Sequence, residues 1–233
     1  MTSSTNRRSK HCKFYTTTVT FLVEDCLFKI PREPLEAESI VFRDMFLLPQ
    51  GDKDTVEGLS DENPVVLPGV SQDEFEQLLT VLLSRKHVSG RCSESDLDLD
   101  QWVSVLKLST MWEFHAPRIA AIIHIDSLDN MIDPIDKVVL AMQYDIKEWL
   151  LPALLKLARR AESINIEEGR RMGFETALKL ASVREKFSQE SGRHRCHNCG
   201  AKCSTSKCLS VGTRDPATKD LDFAPVIRST FDL

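Results

Sequence analysis

The densest run of apolar residues in the chain follows a turn that is rich in proline and charge. Residues 29–38 hold Pro31 and Pro34 among charged side chains, and the next ten positions hold Ile40, Val41, Phe42, Met45, Phe46, Leu47 and Leu48. Ser39 is a favourable N-cap residue, so the pattern predicts a helix that begins directly after it. The apolar side chains cover a wide arc of this helix, which predicts burial on several sides.

This run has two interpretations, and the sequence leaves both open. In the first, its side chains only fill a core, because buried apolar residues usually do no more than pack. In the second, part of the run also forms an interface with another protein or a second subunit. An interface of this kind requires apolar surface that stays exposed after folding.

The segments around this run predict a small sheet. Val19, Phe21 and Val23 alternate with Thr20 and Leu22, which is typical of a strand. A turn at residues 24–25 and the segment "CLFKI" then complete a hairpin, and Pro31 and Pro34 open a short helix. The segment "PVVLPG" predicts a short third strand.

The rest of the pattern predicts helices. Ser71 and Glu74 form a capping box before an apolar stripe at helical spacing, and Asn165 and Glu168 form a second capping box. After Asn130 no strand pattern recurs. Further helix starts are predicted at Pro117, Asp133–Pro134 and Pro152, and the last long helix is predicted to end near Phe187. The apolar segment "DFAPVIRSTFDL" at residues 222–233 is expected to dock on the fold.

The element pattern predicts an α+β protein with four parts. Residues 1–13 form a flexible basic arm, 14–130 a domain with a small sheet and surrounding helices, 131–187 a helical extension, and 188–233 a polar tail that contains cysteines. A chain of 233 residues is long enough for a sizeable core.

Composition narrows the class of function. The net charge of −5 provides no general attraction to nucleic acid or anionic lipid, and no apolar run is long enough to span a bilayer. The N-terminal segment lacks an apolar signal core, so we expect a cytoplasmic or nuclear protein whose cysteines are thiols or metal ligands. The short basic stretch "NRRSKHCK" is either a nuclear import signal, a phosphate-contacting arm or a solubilising tail.

The order of elements resembles the BTB/POZ family. The segments "LFKIPREPLEAESIVFRDMF" and "VVLPGVSQDEFEQLLTVLL" resemble the family's two main motifs, with Leu35, Ser39, Phe42 and Phe46 at its apolar and serine positions. Pro31 stands where many members have a histidine. Over residues 14–187 the chain looks most like the compact BTB proteins of mushroom-forming fungi.

The resemblance implies a non-enzymatic module for protein–protein interaction. It implies a homodimer, with self-association near Phe14, Val19, Phe21 and Leu35. It also implies an adaptor for a cullin-type ubiquitin ligase, because cullin-binding members carry an apolar-x-Glu triplet after this helix. The matching residues here are Leu48, Pro49 and Gln50, with glutamine in place of the glutamate.

The sharpest local chemistry lies in the segment "HRCHNCGAKCSTSKC". Its possible zinc ligands are Cys196, Cys199, Cys203 and Cys208, since a C-x2-C pair chelates zinc tightly. The second pair is C-x4-C and follows too closely for a usual two-knuckle site, so a reduced tail without metal is the alternative. With zinc bound, the chain would fit a different role, a nuclear transcriptional regulator that recruits corepressors.

Other candidate chemistry is weak. The segment "DLDLD" at residues 96–100 begins like a calcium loop, but Gln101 and Lys107 replace the glycine and glutamate that an EF-hand requires. It is better explained as an acidic helix start. His115 and His124 have no acid or nucleophile paired with them by motif, and no phosphate loop, metalloprotease or hydrolase motif occurs. We therefore expect no enzymatic activity.

Overall fold

The computed structural model describes residues 11, 15–48, 56–84, 97–191 and 222–233, with side chains up to 186 and again from 222. The chain divides into two compact units between Asp129 and Asn130. The first unit contains all the strands of the described residues, and the second contains only helices. The protein is therefore of the α+β class, as predicted.

The first unit is built on a small mixed sheet. Strands β1 (Thr18–Val23) and β2 (Cys26–Pro31) form the predicted antiparallel hairpin, in which Phe21 pairs with Phe28. The two-residue strand β3 (Val65–Val66) pairs in parallel with β1, so the strand order is β2-β1-β3. The helices of this unit are α1 (Arg32–Glu38), α2 (Ile40–Leu47), α3 (Gln72–Ser84), α4 (Leu99–Met111) and α5 (His115–Ser127).

Aromatic side chains form the centre of the first unit's core. Phe21 of β1 meets Phe42 of α2 and Phe75 of α3 edge-on, with ring centroids 5.7 and 5.6 Å apart. Phe42 also packs against Trp112 and Phe114, which connect α4 to α5, at 5.3 and 5.6 Å. Edge-to-face aromatic pairs contribute free energy beyond the burial of their area. The core therefore joins the sheet to α2, α3 and the connection between α4 and α5.

Local capping fixes where several helices begin. Ser71 and Glu74 exchange the two hydrogen bonds of the predicted capping box at the start of α3. At α4, Asp98 and Gln101 form a further capping box, so the acidic segment there is a helix start, as expected. Pro117 lies in the first turn of α5, where its missing N–H has no partner to lose.

The regular elements of the second unit, among its described residues, are all helices. Its helices are α6 (Pro134–Gln143), α7 (Lys147–Arg159), α8 (Ile166–Met172), α9 (Phe174–Ser191) and α10 (Ala224–Phe231). Asp133 caps α6 and the Asn165–Glu168 capping box starts α8, both as predicted. The core includes Val138, Leu154, Leu180, Phe223 and Ile227. Burial of the last two confirms that the segment at residues 222–233 docks on the fold.

The predicted helix start at Pro152 is wrong. Pro152 lies inside α7, which begins five residues earlier at Lys147. A proline inside a helix removes one hydrogen bond and costs about 3 kcal/mol or more. Trp149, Ala153, Leu154 and Leu157 on either side are buried in the core, and their packing keeps the helix continuous.

The predicted burial of α2 on several sides is also wrong. Phe42 is the only buried residue of this helix, with 2% of its surface exposed. Met45 and Phe46 are half-buried, whereas Ile40, Val41, Leu47 and Leu48 are exposed, so only part of the apolar arc is covered by the fold. No helix among the described residues is both long and apolar enough to cross a membrane.

Candidate functional site

Helix α2 presents an apolar surface to solvent. Ile40, Val41, Leu47 and Leu48 are 48, 38, 74 and 64% exposed, and we call these four residues the α2 outer face. Ile40 and Leu47 are seven positions apart and therefore lie on the same side of the helix after two turns, and Leu48 follows directly as the C-cap residue. Clustered apolar exposure of this kind marks an interaction surface, whereas single exposed apolar residues are ordinary.

Ser39 holds the start of α2 in place. Its hydroxyl accepts a hydrogen bond from the Phe42 N–H at 3.1 Å, as the predicted N-cap, and donates one to the Trp112 carbonyl at 2.5 Å. Ser39 is 2% exposed and also forms a β-bridge with Phe114. These contacts attach the helix to the α4–α5 connection, which lies far away in the sequence.

Arg32 holds the other end of α2. Its guanidinium donates to the Phe46 carbonyl at 3.1 Å, lies 4.1 Å from the centre of the Phe46 ring and pairs with Glu36 at 2.6 Å. A stacked arginine that also forms hydrogen bonds fixes both the ring and the backbone it contacts. The α2 outer face is therefore carried on a helix that is fixed at both ends.

Two charged residues divide the α2 outer face. Arg43 and Asp44 are exposed and form an ion pair at 3.6 Å. Asp44 lies three or four positions from each of the four apolar residues, so it stands among them on the helix surface. An ion pair this exposed contributes little stability. It does provide a polar group that a partner must match, which is typical of selective interfaces.

A cavity of about 440 Å³ adjoins this surface at the start of α5. Ile40 and Arg43 line it from α2, while His115 and Arg118 line it from α5. Glu38, also in the wall, accepts a hydrogen bond from the Ala116 N–H at 3.4 Å and so serves the start of α5. The cavity lining thus combines apolar side chains, such as Ile40 and Phe114, with charged groups of both signs, and it suits a mixed polar and apolar side chain.

The structure separates the predicted site residues. Leu48 lies on the α2 outer face, while Pro49 and Gln50 fall outside the described residues. Val19, Phe21 and Leu35, which were expected at a self-association surface, are buried, with 3, 0 and 0% exposed. Their side chains belong to the core of the first unit. Phe14 lies outside the described residues, and self-association through this group stays a prediction.

Cys196, Cys199, Cys203 and Cys208 all lie outside the part of the chain that the structure describes. Within the described part, no three His, Cys, Asp or Glu side chains come together as a metal site would require. Zinc binding by the tail therefore stays a prediction.

The two histidines noted in the sequence lie in different environments, one at the surface and one packed against a tryptophan ring. His115 is exposed at the first position of α5. His124 stacks flat on the buried Trp102 ring, with centroids 4.2 Å apart.

Sequence reasoning missed Ile40, Val41 and Leu47 as surface residues. One signal was available, since Arg43 and Asp44 interrupt the apolar arc and mark the side of the helix that faces water.

Comparison of the sequence with models of known protein families gives no match. No curated protein matches it either. The resemblance to the BTB/POZ family is therefore a prediction that rests on the residues quoted above.

Proposed function

We propose that this chain is a non-enzymatic, BTB/POZ-type module that binds another protein through the α2 outer face. The observation that carries the proposal is the division of the α2 apolar run. Phe42 is the only buried residue of α2, while Ile40, Val41 and Leu47 on this helix and Leu48 directly after it are exposed, and the helix is fixed at both ends. Exposed apolar surface costs solubility, and a partner that covers it recovers the hydrophobic free energy.

The order of elements supports the BTB/POZ assignment. A β-hairpin, two short helices, a short strand and three longer helices follow one another in the first unit, in the order that the resemblance implies. Ser39, at the family's serine position, has a specific role as N-cap and as donor to Trp112. A fold-level likeness supports a function only by association, so the exposed surface is the stronger argument.

The partner class we propose is a cullin-type scaffold, for which the chain would act as a ubiquitin ligase adaptor. Leu48 is the residue at the apolar position of the expected triplet, and it is 64% exposed at the end of α2. A few central anchors carry most of the free energy of a protein interface. Leu48, with Leu47 beside it, is positioned to be such an anchor.

The test is light scattering of the full chain mixed with the N-terminal domain of a cullin-type scaffold. We expect a defined larger complex with the wild type. The Leu48→Asp variant should lose it, because a buried charge without a partner costs several kcal/mol. The melting temperature of Leu48→Asp should stay close to that of the wild type, since its side chain is mostly exposed.

Leu59→Asp is the matched control. Leu59 is 54% exposed in the same unit but lies outside α2, so this variant should bind like the wild type. If Leu48→Asp binds as well as the wild type, the α2 outer face is not the surface that binds the scaffold. If the wild-type chain does not bind the scaffold, the proposal of a cullin-type partner is wrong, and the α2 outer face is then tested with other proteins.

A further inference from the structure

A second apolar surface lies in the helical unit, around the start of α9. Phe174 and Leu178 are 77 and 53% exposed and lie four positions apart on one side of the helix. Met142 of α6, 51% exposed, adjoins them, because the Thr176 hydroxyl lies 3.5 Å from its sulfur. Gly173, with φ of 85°, ends α8 and turns the chain so that Phe174 begins α9 outside the core. We call Met142, Phe174 and Leu178 the α9 patch.

The α9 patch borders a cavity that is large enough for an aromatic ring. The cavity has a volume of about 350 Å³, and Phe174 stands in its wall beside Met142, Leu150, Met172 and Phe231. An apolar cavity of roughly 150 Å³ accepts a benzene molecule, so a phenyl side chain fits here with room to spare. A protruding phenyl ring and an apolar cavity thus stand side by side on one surface.

The charges at the rim of this cavity are balanced and self-complementary. Glu175 accepts a hydrogen bond from Lys179 at 2.7 Å, and both residues line the cavity. This contact lowers the pKa of Glu175 and raises the pKa of Lys179, so both stay charged at neutral pH. A strongly acidic or strongly basic partner would gain no net electrostatic attraction from this pair of opposite charges. A second copy brings one ammonium group to each carboxylate and one carboxylate to each ammonium group.

We propose that the α9 patch is a homodimer interface in which the Phe174 ring of each protomer enters the cavity of the other. A two-fold axis brings the same surface of both subunits together, so the ring of each protomer faces the cavity of the other and both contacts form together. Glu175 and Lys179 then pair across the interface. The surface differs from the β1 and α1 residues that the sequence suggested, whose side chains fill the core of the first unit.

The first experiment measures the oligomeric state of the full chain by sedimentation velocity. Over a roughly hundredfold range of concentration in the micromolar region, we expect a monomer–dimer equilibrium, because a patch of this size makes a small interface. Phe174→Glu should weaken the dimer by about tenfold or more. Ile166→Glu is the matched control: Ile166 is 78% exposed in the same unit but does not line the cavity, so this variant should dimerise like the wild type.

The second experiment tests the charge pairing directly. E175K alone and K179E alone should each be monomeric, because two like charges then meet across the axis. An equimolar mixture of the two variants should form a heterodimer. A wild type that stays monomeric at all these concentrations, a dimer that persists in Phe174→Glu, or a mixture that fails to associate would each overturn the proposal. Partner binding by the α2 outer face is measured with other variants, so the two proposals fail independently.

Discussion

The two sides of α2 should differ sharply in what they contribute to stability. The perturbation is a pair of alanine substitutions in one helix, Phe42→Ala and Leu47→Ala. Phe42 is 2% exposed and its ring meets those of Phe21, Trp112 and Phe114, whereas Leu47 is 74% exposed. Truncating a fully buried phenylalanine typically costs about 3 to 5 kcal/mol.

Leu47→Ala should cost far less. Full burial of a leucine side chain contributes about 2 kcal/mol, and only about a quarter of Leu47 is covered, so the expected loss is about 0.5 kcal/mol. Leucine and alanine are both strong helix formers, so helix propensity adds little to the difference. The two variants should therefore differ by about 3 kcal/mol in the free energy of unfolding.

Urea unfolding followed by tryptophan fluorescence measures this difference. Trp102 and Trp112 lie in the first unit and Trp149 in the second, so a Trp149→Phe background makes the signal specific to the unit that contains α2. With a urea slope of about 2 kcal/mol per M, Phe42→Ala should lower the midpoint by roughly 1.5 to 2.5 M and Leu47→Ala by roughly 0.25 M. Equal midpoint shifts would mean that Leu47 is buried in solution, and the α2 outer face would then not exist.

Two further predictions concern the second unit. Arg184 donates hydrogen bonds to the carbonyls of Leu157, Arg160 and Glu162 at 3.0, 3.1 and 2.6 Å. Arg184→Met should cost about 3 kcal/mol, because it leaves these carbonyls at the end of α7 without a donor. Arg184→Lys should recover only part of this loss when both variants are compared by thermal unfolding. The Arg160 side chain donates a hydrogen bond to Glu168 and lowers the pKa of that carboxyl. The ion pair therefore stabilises the fold fully above the ordinary glutamate pKa, and its contribution is lost as the pH falls through the lowered pKa. The stability gap between wild type and Glu168→Gln should be constant from about pH 6 to 8 and should narrow as the pH falls below the ordinary glutamate pKa of about 4.3, and a gap that does not narrow at all in acid would contradict the ion pair as its source.

Much of the local structure could be predicted because its causes lie within a few residues. Ser39, Ser71 and Asn165 cap helices through hydrogen bonds to groups three positions ahead, so the printed sequence contains both partners. The hairpin follows from alternation in β1 and a two-residue turn. The candidate site was only half predictable, since the sequence marked α2 as exceptionally apolar but could not say which side the core would cover.

The sequence by itself determined the α+β class, the order of strands and helices and most helix starts, because these depend on spacing, capping and turn residues. Only the tertiary structure decided which α2 residues are exposed, that Pro152 lies within a helix, and that Phe174 stands beside a cavity. Each of these depends on contacts between distant residues, such as the bond from Ser39 to Trp112 across 73 positions, which no local pattern encodes. The proposed functions follow from these contacts, because a partner meets only the apolar surface that the fold leaves uncovered.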